Sequence, residues 1–172
     1  TLVKNILISD TIKSKIFEYR NFINDNIIDF TIELQTEDFK NCKINTRVKT
    51  QNSIEFKTKN YSENHENGKV PINKCFNDLF GIRIILEQNL NHKDIQSFIK
   101  EKHKDLKCID SSKKKGNYKA THVYFRINNY TFPLELQIWN KADEENNLKS
   151  HEIYKQDYVK WEAENKGGNI YG

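Results

Sequence analysis

Cysteine is scarce and never clustered: Cys42, Cys75 and Cys108 are far apart, odd in number, and form no Cys-x-x-Cys pair. That argues against a disulfide scaffold or a zinc site and for a reducing, cytoplasmic setting. No apolar run approaches the roughly 18 residues needed to span a bilayer. The first residues also lack the charged-then-apolar pattern of a secretory signal. The expectation is a soluble chain with no membrane partner. No internal repeat or second domain is visible, so residues 1–172 are expected to form one domain, long enough to bury a core without staples.

What is present is a folded chain rather than a disordered one. It is 36% hydrophobic, with 10 Phe and 8 Tyr, against 30% charged residues. The net charge of +4 and pI near 8.8 suit a phosphate-bearing ligand, although an Asn-, Lys- and Ile-rich composition accounts for part of that basicity.

The most informative stretch is Asp78-Leu79-Phe80-Gly81-Ile82-Arg83-Ile84-Ile85-Leu86. Its nearly continuous apolar residues predict a strand covered on both faces, with a carboxylate at its start and one arginine inside. A buried charge is costly unless paired, so Asp78 and Arg83 call for a metal, a phosphate, a nucleobase or each other. An internal salt bridge or a snorkelling arginine satisfies the same demand.

Upstream, Ile12, Ile16, Tyr19, Ile23, Ile27 and Phe30 recur at spacings of three and four, predicting an amphipathic helix capped by Ser9 or Asp10. Lys13, Lys15 and Arg20 read as its solvated face. Strict alternation over Lys43 to Lys49 predicts a strand with Ile44, Thr46 and Val48 on one face and Arg47 and Lys49 on the other. A helix follows from Asn52, where Ser53 and Lys57 lie four apart on one face. A helix start offers free N–H groups to anions, and Arg47, Lys49, Ser53 and Lys57 together suit a polyphosphate. An exposed basic strand and an ordinary helix would look alike here. Residues 61–73 read as a mobile surface loop.

Downstream, Ile95, Phe98, Ile99 and Leu106 suggest a covering helix, giving strand, helix, strand, helix, as in α/β or α+β sheets. A basic turn, Lys113 to Lys115, leads into an alternating strand on which Tyr118, Ala120, His122, Tyr124 and Arg126 share a face. A tyrosine beside flexible cations can stack on a base for about 1–3 kcal/mol, or simply cover the core. Asn128-Asn129 is a plausible turn into a return strand, Tyr130 to Trp139. In that strand Phe132, Leu134, Leu136 and Ile138 face the core, with Glu135, Gln137 and Trp139 opposite. Glu135 is therefore mid-strand, where carboxylates are uncommon, and beside the His122 strand. A last helix from about Glu144 carries Leu148, His151, Tyr154, Tyr158 and Trp161 along a broad stripe that reads as core, ending at Gly167-Gly168.

The order of these blocks is more specific than any one of them. Arg47-x-Lys49-x-x-x-Ser53-Ile54-x-x-Lys57, Asp78-x-x-Gly81-Ile82-Arg83-Ile84, Tyr118-Lys119-Ala120-x-His122, Glu135-Leu136-Gln137-Ile138 and His151-x-x-Tyr154-Lys155 together resemble the synthetase domain of RelA/SpoT-type enzymes, over about residues 40–156. No HD-type histidine-aspartate pair precedes Arg47, so the resemblance is to a small, synthetase-only member. It implies an α/β (α+β) nucleotidyltransferase-like fold, a mixed sheet of about five strands flanked by helices. It also implies transfer of the β,γ-pyrophosphate of ATP to a ribose 3′-hydroxyl with release of AMP. By that resemblance Arg47 and Arg83 hold adenine between their guanidinium planes, and Lys49, Ser53 and Lys57 hold phosphates. Asp78 and Glu135 bind Mg²⁺, with Glu135 also placed to take the hydroxyl proton. Tyr118 stacks on the acceptor base, with Lys119, His122 and Gln137 on the acceptor side.

The sequence departs from the family pattern where Trp139 and Asn140 replace Arg-Thr, where Ser150 replaces a Glu, and where Asn117 replaces a Gly. These positions lie on the acceptor side. The implied acceptor is accordingly either GDP/GTP, giving the alarmone (p)ppGpp, or the 3′-terminal adenosine of tRNA, as in toxic members neutralised by an antitoxin protein. A catalytically silent RNA- or nucleotide-binding module on the same fold is the competing class.

Overall fold

A computed structural model describes residues 1–7, 9–35, 41–103, 117–126, 128 and 131–167, excluding the side chains at 154, 155, 157, 158, 162 and 164–167. The elements in chain order are α1 (Lys4–Leu7), α2 (Asp10–Leu34), β1 (Cys42–Val48), α3 (Gln51–Asn64), α4 (Ile72–Cys75), β2 (Phe80–Leu86), α5 (His92–Lys102), β3 (Thr121–Phe125), β4 (Leu134–Asn140) and α6 (Glu144–Gly167). Short 3₁₀ turns at Glu66–Gly68 and Lys141–Asp143 precede α4 and α6.

Local chemistry sets most boundaries. Ser9 caps α2 by accepting the Ile12 N–H on its hydroxyl, and Thr50 caps α3 by accepting that of Ser53. Alternation in β1 leaves Cys42, Ile44, Thr46 and Val48 half-buried and Lys43, Asn45 and Arg47 exposed.

The sheet among the described residues has four strands, where about five are expected, in the order β1-β2-β4-β3. β1 is antiparallel to β2, β2 parallel to β4, and β3 antiparallel to β4. Period-2 geometry then makes two unlike faces. Phe80, Leu134, Leu136 and Ile138 lie on the face covered by α2 and α5, where Phe30 meets Phe80 edge-on at 5.5 Å and Ile99 packs on Val123 and Ile138. The other face carries two cross-strand rows, Arg47-Gly81-Glu135-Tyr124 and Asn45-Arg83-Gln137-His122.

That second face is not solvent-facing along β4. Glu135 and Gln137 are each 5% exposed and Trp139 is fully buried, so β4 is covered on both sides. Both β3 and β4 are shorter than the sequence suggests, beginning at Thr121 and Leu134. Leu148 is 45% exposed rather than core, because α6 approaches the sheet through His151 and meets α3 through Trp161 and Phe56.

Residues 61–73 are not a loop throughout. α3 runs to Asn64, and the segment beyond it returns to the N-terminus, where Val3 N–H donates to the Val70 carbonyl at 2.9 Å and Leu2 bridges Pro71. Val70, Cys75, Phe76 and Leu79 join Val3, Ile6, Ile16 and Ile54 in one core beneath the Asp78 turn. Gly68, with φ +72° and no room for a Cβ, which would lie 2.9 Å from the Lys4 Cβ, makes that return possible. Gly68→Ala is expected to destabilise by about 1–3 kcal/mol in urea unfolding; unchanged stability would mean that this turn is not fixed by the N-terminal segment.

Leu106, Cys108, Lys113 to Lys115, the Asn129 half of the expected turn, and Gly168 lie outside the described residues, as do the side chains of Tyr154, Lys155 and Tyr158.

Candidate active site

The polar sheet face and the turn before β2 bring the two predicted carboxylates into one region. Asp78 stands two residues before β2, between the fully buried Phe76 and Leu79, so its backbone is fixed by core packing. Glu135 is the second residue of β4, opposite Gly81, and a Cβ at Gly81 would lie 3.8 Å from Glu135 Oε2. The two carboxylates are close enough that the charge of Asp78 works against ionisation of Glu135.

Asp78 does not pair with Arg83. It receives Lys49 Nζ at 2.8 Å on one oxygen and Lys57 Nζ at 2.9 Å on the other. Burial alone would raise its pKa, but the charges and hydrogen bonds of Lys57 and Lys49 overcome this and hold the carboxyl well below its ordinary range. The two ammoniums differ. Burial, with Lys57 and Arg47 nearby, leaves Lys49 below its ordinary value, whereas attraction to Asp78 outweighs burial and carries Lys57 above its own. Lys49 lies just past the end of β1, its N–H on the Leu79 carbonyl and its own carbonyl accepting Arg20 Nε at 3.1 Å. Arg20, read from the sequence as solvated, thus ties α2 to this turn. Ser53, in the first turn of α3, accepts the Thr50 hydroxyl at 2.9 Å, and Arg47 is exposed at the rim.

Glu135 anchors a second network. Its Oε1 accepts His122 Nδ1 at 2.9 Å and Tyr124 hydroxyl at 3.0 Å, and its Oε2 accepts Gln137 Nε2 at 2.9 Å. Burial raises its pKa, but these bonds, that from His122 foremost, bring the net shift below the ordinary value. Gln137 has one satisfying orientation, since a carboxylate demands its amide N–H and a guanidinium its oxygen. Arg83 accordingly donates Nε and Nη2 to Gln137 Oε1, both at 3.0 Å. The other ring nitrogen of His122, Nε2, lies 2.7 Å from the Tyr118 hydroxyl.

The predicted acceptor group therefore divides. Tyr118, His122 and Gln137 converge, while Lys119 turns to the other side, 3.7 Å from Asp143, and lines a cavity of about 580 Å³ with Asn91, Lys93 and Asn140. A second, apolar cavity of about 430 Å³ lies between α2 and the strand ends, on the opposite sheet face. Neither holds the carboxylates.

As a metal centre, the region offers the hard carboxylate oxygens of Asp78 and Glu135. No three His, Cys, Asp or Glu side chains converge among the described residues, so a cage made wholly of protein ligands is not built there. One or two carboxylates, completed by substrate phosphates and water, is the donor set that suits Mg²⁺, and Asp78 with Glu135 fits it.

The family described as "Region found in RelA / SpoT proteins" matches residues 46–158. The chain belongs to the RelA/SpoT family. Its architecture is the mixed α+β fold of RelA/SpoT synthetases. The crystal structure of small alarmone synthetase 1 from Bacillus subtilis is similar over 87% of this chain and 82% of that one, at 20% identity and a TM-score of 0.51. The same synthetase bound to its product pppGpp is similar over the same shares, at 16% identity and a TM-score of 0.50. No curated protein matches the sequence.

Within this RelA/SpoT domain, the residues that sequence patterns missed are those acting across strands. Tyr124 was visible only as a strand aromatic, and Trp139 only by its strand face and as a departure from the family block. Trp139 has its indole 3.7 Å from the Arg83 guanidinium carbon. His151 lies against that indole at 5.6 Å, and its Nε2 is 3.3 Å from Arg83 Nη2. Burial, then the charges of Arg83 and Arg47, push the His151 imidazole down to about 4, so it is the neutral acceptor of an Arg83 N–H. An unfolded histidine titrates near 6.5. Between about pH 4 and 6.5 the unfolded chain thus binds the extra proton, and His151 makes stability rise with pH across that window. The stability difference between wild type and His151→Gln in urea unfolding is expected to shrink from pH 7 to pH 4.5; parallel pH profiles would contradict the buried, neutral imidazole.

Proposed function

We propose that the chain is a pyrophosphotransferase, moving the β,γ-pyrophosphate of ATP to a ribose 3′-hydroxyl and releasing AMP. The observation that carries this reading is the meeting of Asp78, Lys49 and Lys57 at one turn, beside Glu135, in a RelA/SpoT fold. Residues 1–172 act as one catalytic domain in this reading.

Lys49 and Lys57 exchange their carboxylate partner for phosphate oxygens, with Ser53 at the start of α3 adding a hydroxyl. Asp78, released by that exchange, and Glu135 would hold Mg²⁺, which when bound neutralises charge on the transferred group. Arg47 and Arg83 receive the adenine. Glu135 takes the proton of the 3′-hydroxyl as the oxygen bonds to the β-phosphorus and the bond from that phosphorus to the AMP oxygen breaks. His122, Tyr124 and Gln137 hold Glu135 in place, and Tyr118 offers its ring to the acceptor base.

The acceptor favoured first is GDP or GTP, on the likeness to a synthetase whose solved structure holds pppGpp. A second acceptor, the 3′-terminal adenosine of tRNA, is favoured by the replacement of a family cation with Trp139, by the neutral His151 and by the outward turn of Lys119, which together leave little positive charge for 5′-phosphates among the described residues. In that case the protein is a translation toxin, and an antitoxin is its expected partner. Incubation with γ-labelled ATP and either GDP or deacylated tRNA separates these. Label in guanine nucleotide alone supports the alarmone reading, and label in tRNA alone the toxin. Salt-sensitive RNA binding with no AMP under either acceptor would overturn both in favour of a silent binding module.

A further inference from the structure

Two arginines stand on the same sheet face, and among the described residues no carboxylate is bonded to either. Arg47 is exposed on β1, and Arg83 is one strand over, two positions along the register, where the charge of Arg47 acts on it. Like charges at this spacing repel, so their persistence needs a partner that both can face. A long side chain on a strand also samples many rotamers, and a flat ligand gains little from a guanidinium that must first be ordered.

Arg83 has been ordered in advance. Its edge is fixed by two bonds to Gln137 Oε1 and one contact to His151 Nε2, and its guanidinium carbon lies over the Trp139 indole, 3.7 Å from the ring centroid. That indole is fully buried and boxed in by His151 and by Tyr118, whose ring meets it edge-on at 6.1 Å. Arg83 itself stays partly exposed on the Arg47 side of the sheet. A guanidinium packed over an aromatic ring, on the sheet face it shares with a second arginine, is a platform for another flat π-system.

We propose that Trp139 is a positioning residue for the donor nucleotide, holding the Arg83 guanidinium flat so that the purine ring of ATP stacks on it. The inference rests on the donor-site reading above and adds a residue at which this chain departs from its family's block. Trp139 never touches the nucleotide; it acts through Arg83.

The sequence has two tryptophans, Trp139 and Trp161, so Trp161→Phe leaves Trp139 as the sole indole reporter. In that background, α,β-methylene-ATP with Mg²⁺ is expected to change the indole emission saturably, because it loads the guanidinium against the ring, while inorganic triphosphate is expected to leave it unchanged. Trp139→Phe, which keeps an aromatic face of lower cation affinity, is expected to raise KM for ATP about fivefold with kcat within about twofold, the pattern of lost uniform binding. If calorimetry shows the analogue bound while the indole stays silent and KM is unchanged in Trp139→Phe, the role of Trp139 is overturned and the donor site stands. If the wild-type protein binds no analogue at all, the donor-site reading falls and takes this inference with it.

Discussion

Asp78→Asn is expected to lower AMP release by on the order of 10³-fold or more, because it removes one of the two carboxylates proposed to hold the Mg²⁺ that neutralises the transferred group. The side chain is nearly isosteric, so the loss comes from charge rather than shape. Lys49 and Lys57 lie 2.8 and 2.9 Å from the two carboxylate oxygens, with side chains only 15% and 19% exposed. Removing the anion leaves two ammoniums facing each other across a neutral amide. Stripping one partner from a buried ion pair costs about 3–5 kcal/mol, and the residual exposure of both lysines places this site toward the lower end. At about 2–4 °C per kcal/mol for a chain of this size, Tm should fall by roughly 6–12 °C with the protein still folded at room temperature. Calorimetry and an AMP assay on the same sample check both parts. Unchanged turnover would remove the metal role of Asp78, whatever happened to Tm.

Glu135→Gln is expected to lower turnover by about 10²–10⁴-fold and to loosen Arg83 as well. Glu135 accepts three hydrogen bonds and donates none, with Oε1 serving His122 and Tyr124 and Oε2 serving Gln137. A glutamine that keeps its oxygen toward His122 and Tyr124 points its amide N–H at the Gln137 N–H. Gln137 must then flip, which turns its own N–H toward Arg83 and breaks the two bonds to the guanidinium. A substitution at the proposed proton acceptor thus reaches Arg83 on the neighbouring strand through Gln137, two residues along β4. The measurable sign is a rise in KM for ATP alongside the fall in kcat. Glu135→Gln with full kcat would show that another group takes the hydroxyl proton; a fall in kcat with KM unchanged would show that Gln137 does not couple the two arms.

Local pattern made much of the fold legible. Ser9 was readable as a cap candidate, the alternation through Arg47 set the faces of β1, and the hairpin placed Glu135 beside the His122 strand. What the sequence could not carry was strand order. Only the parallel pairing of β2 with β4 sets Gly81 against Glu135 and Arg83 against Gln137, and parallel neighbours joined by a long crossover leave no local signature. The same limit hid the partners of Asp78. Lys49 and Lys57 were readable as candidate phosphate-binding cations, but their present bond to the carboxylate depends on how the turn before β2 packs under α3. Residues 61–73 misled for a related reason: Asn- and Gly-rich composition reads as loop, while burial of Val70 depends on a bridge from the first three residues. Trp139 showed its face of the strand by period, but not that a guanidinium would lie on it.

The most direct measurement follows which bond of ATP breaks. With ATP labelled at both the α- and γ-phosphates, an acceptor and Mg²⁺, the wild-type protein should release labelled AMP one-for-one with doubly phosphorylated acceptor, and Asp78→Asn should do neither. Labelled ADP with a singly phosphorylated acceptor, or nucleotide hydrolysis with no label in any acceptor, would contradict pyrophosphate transfer at this site.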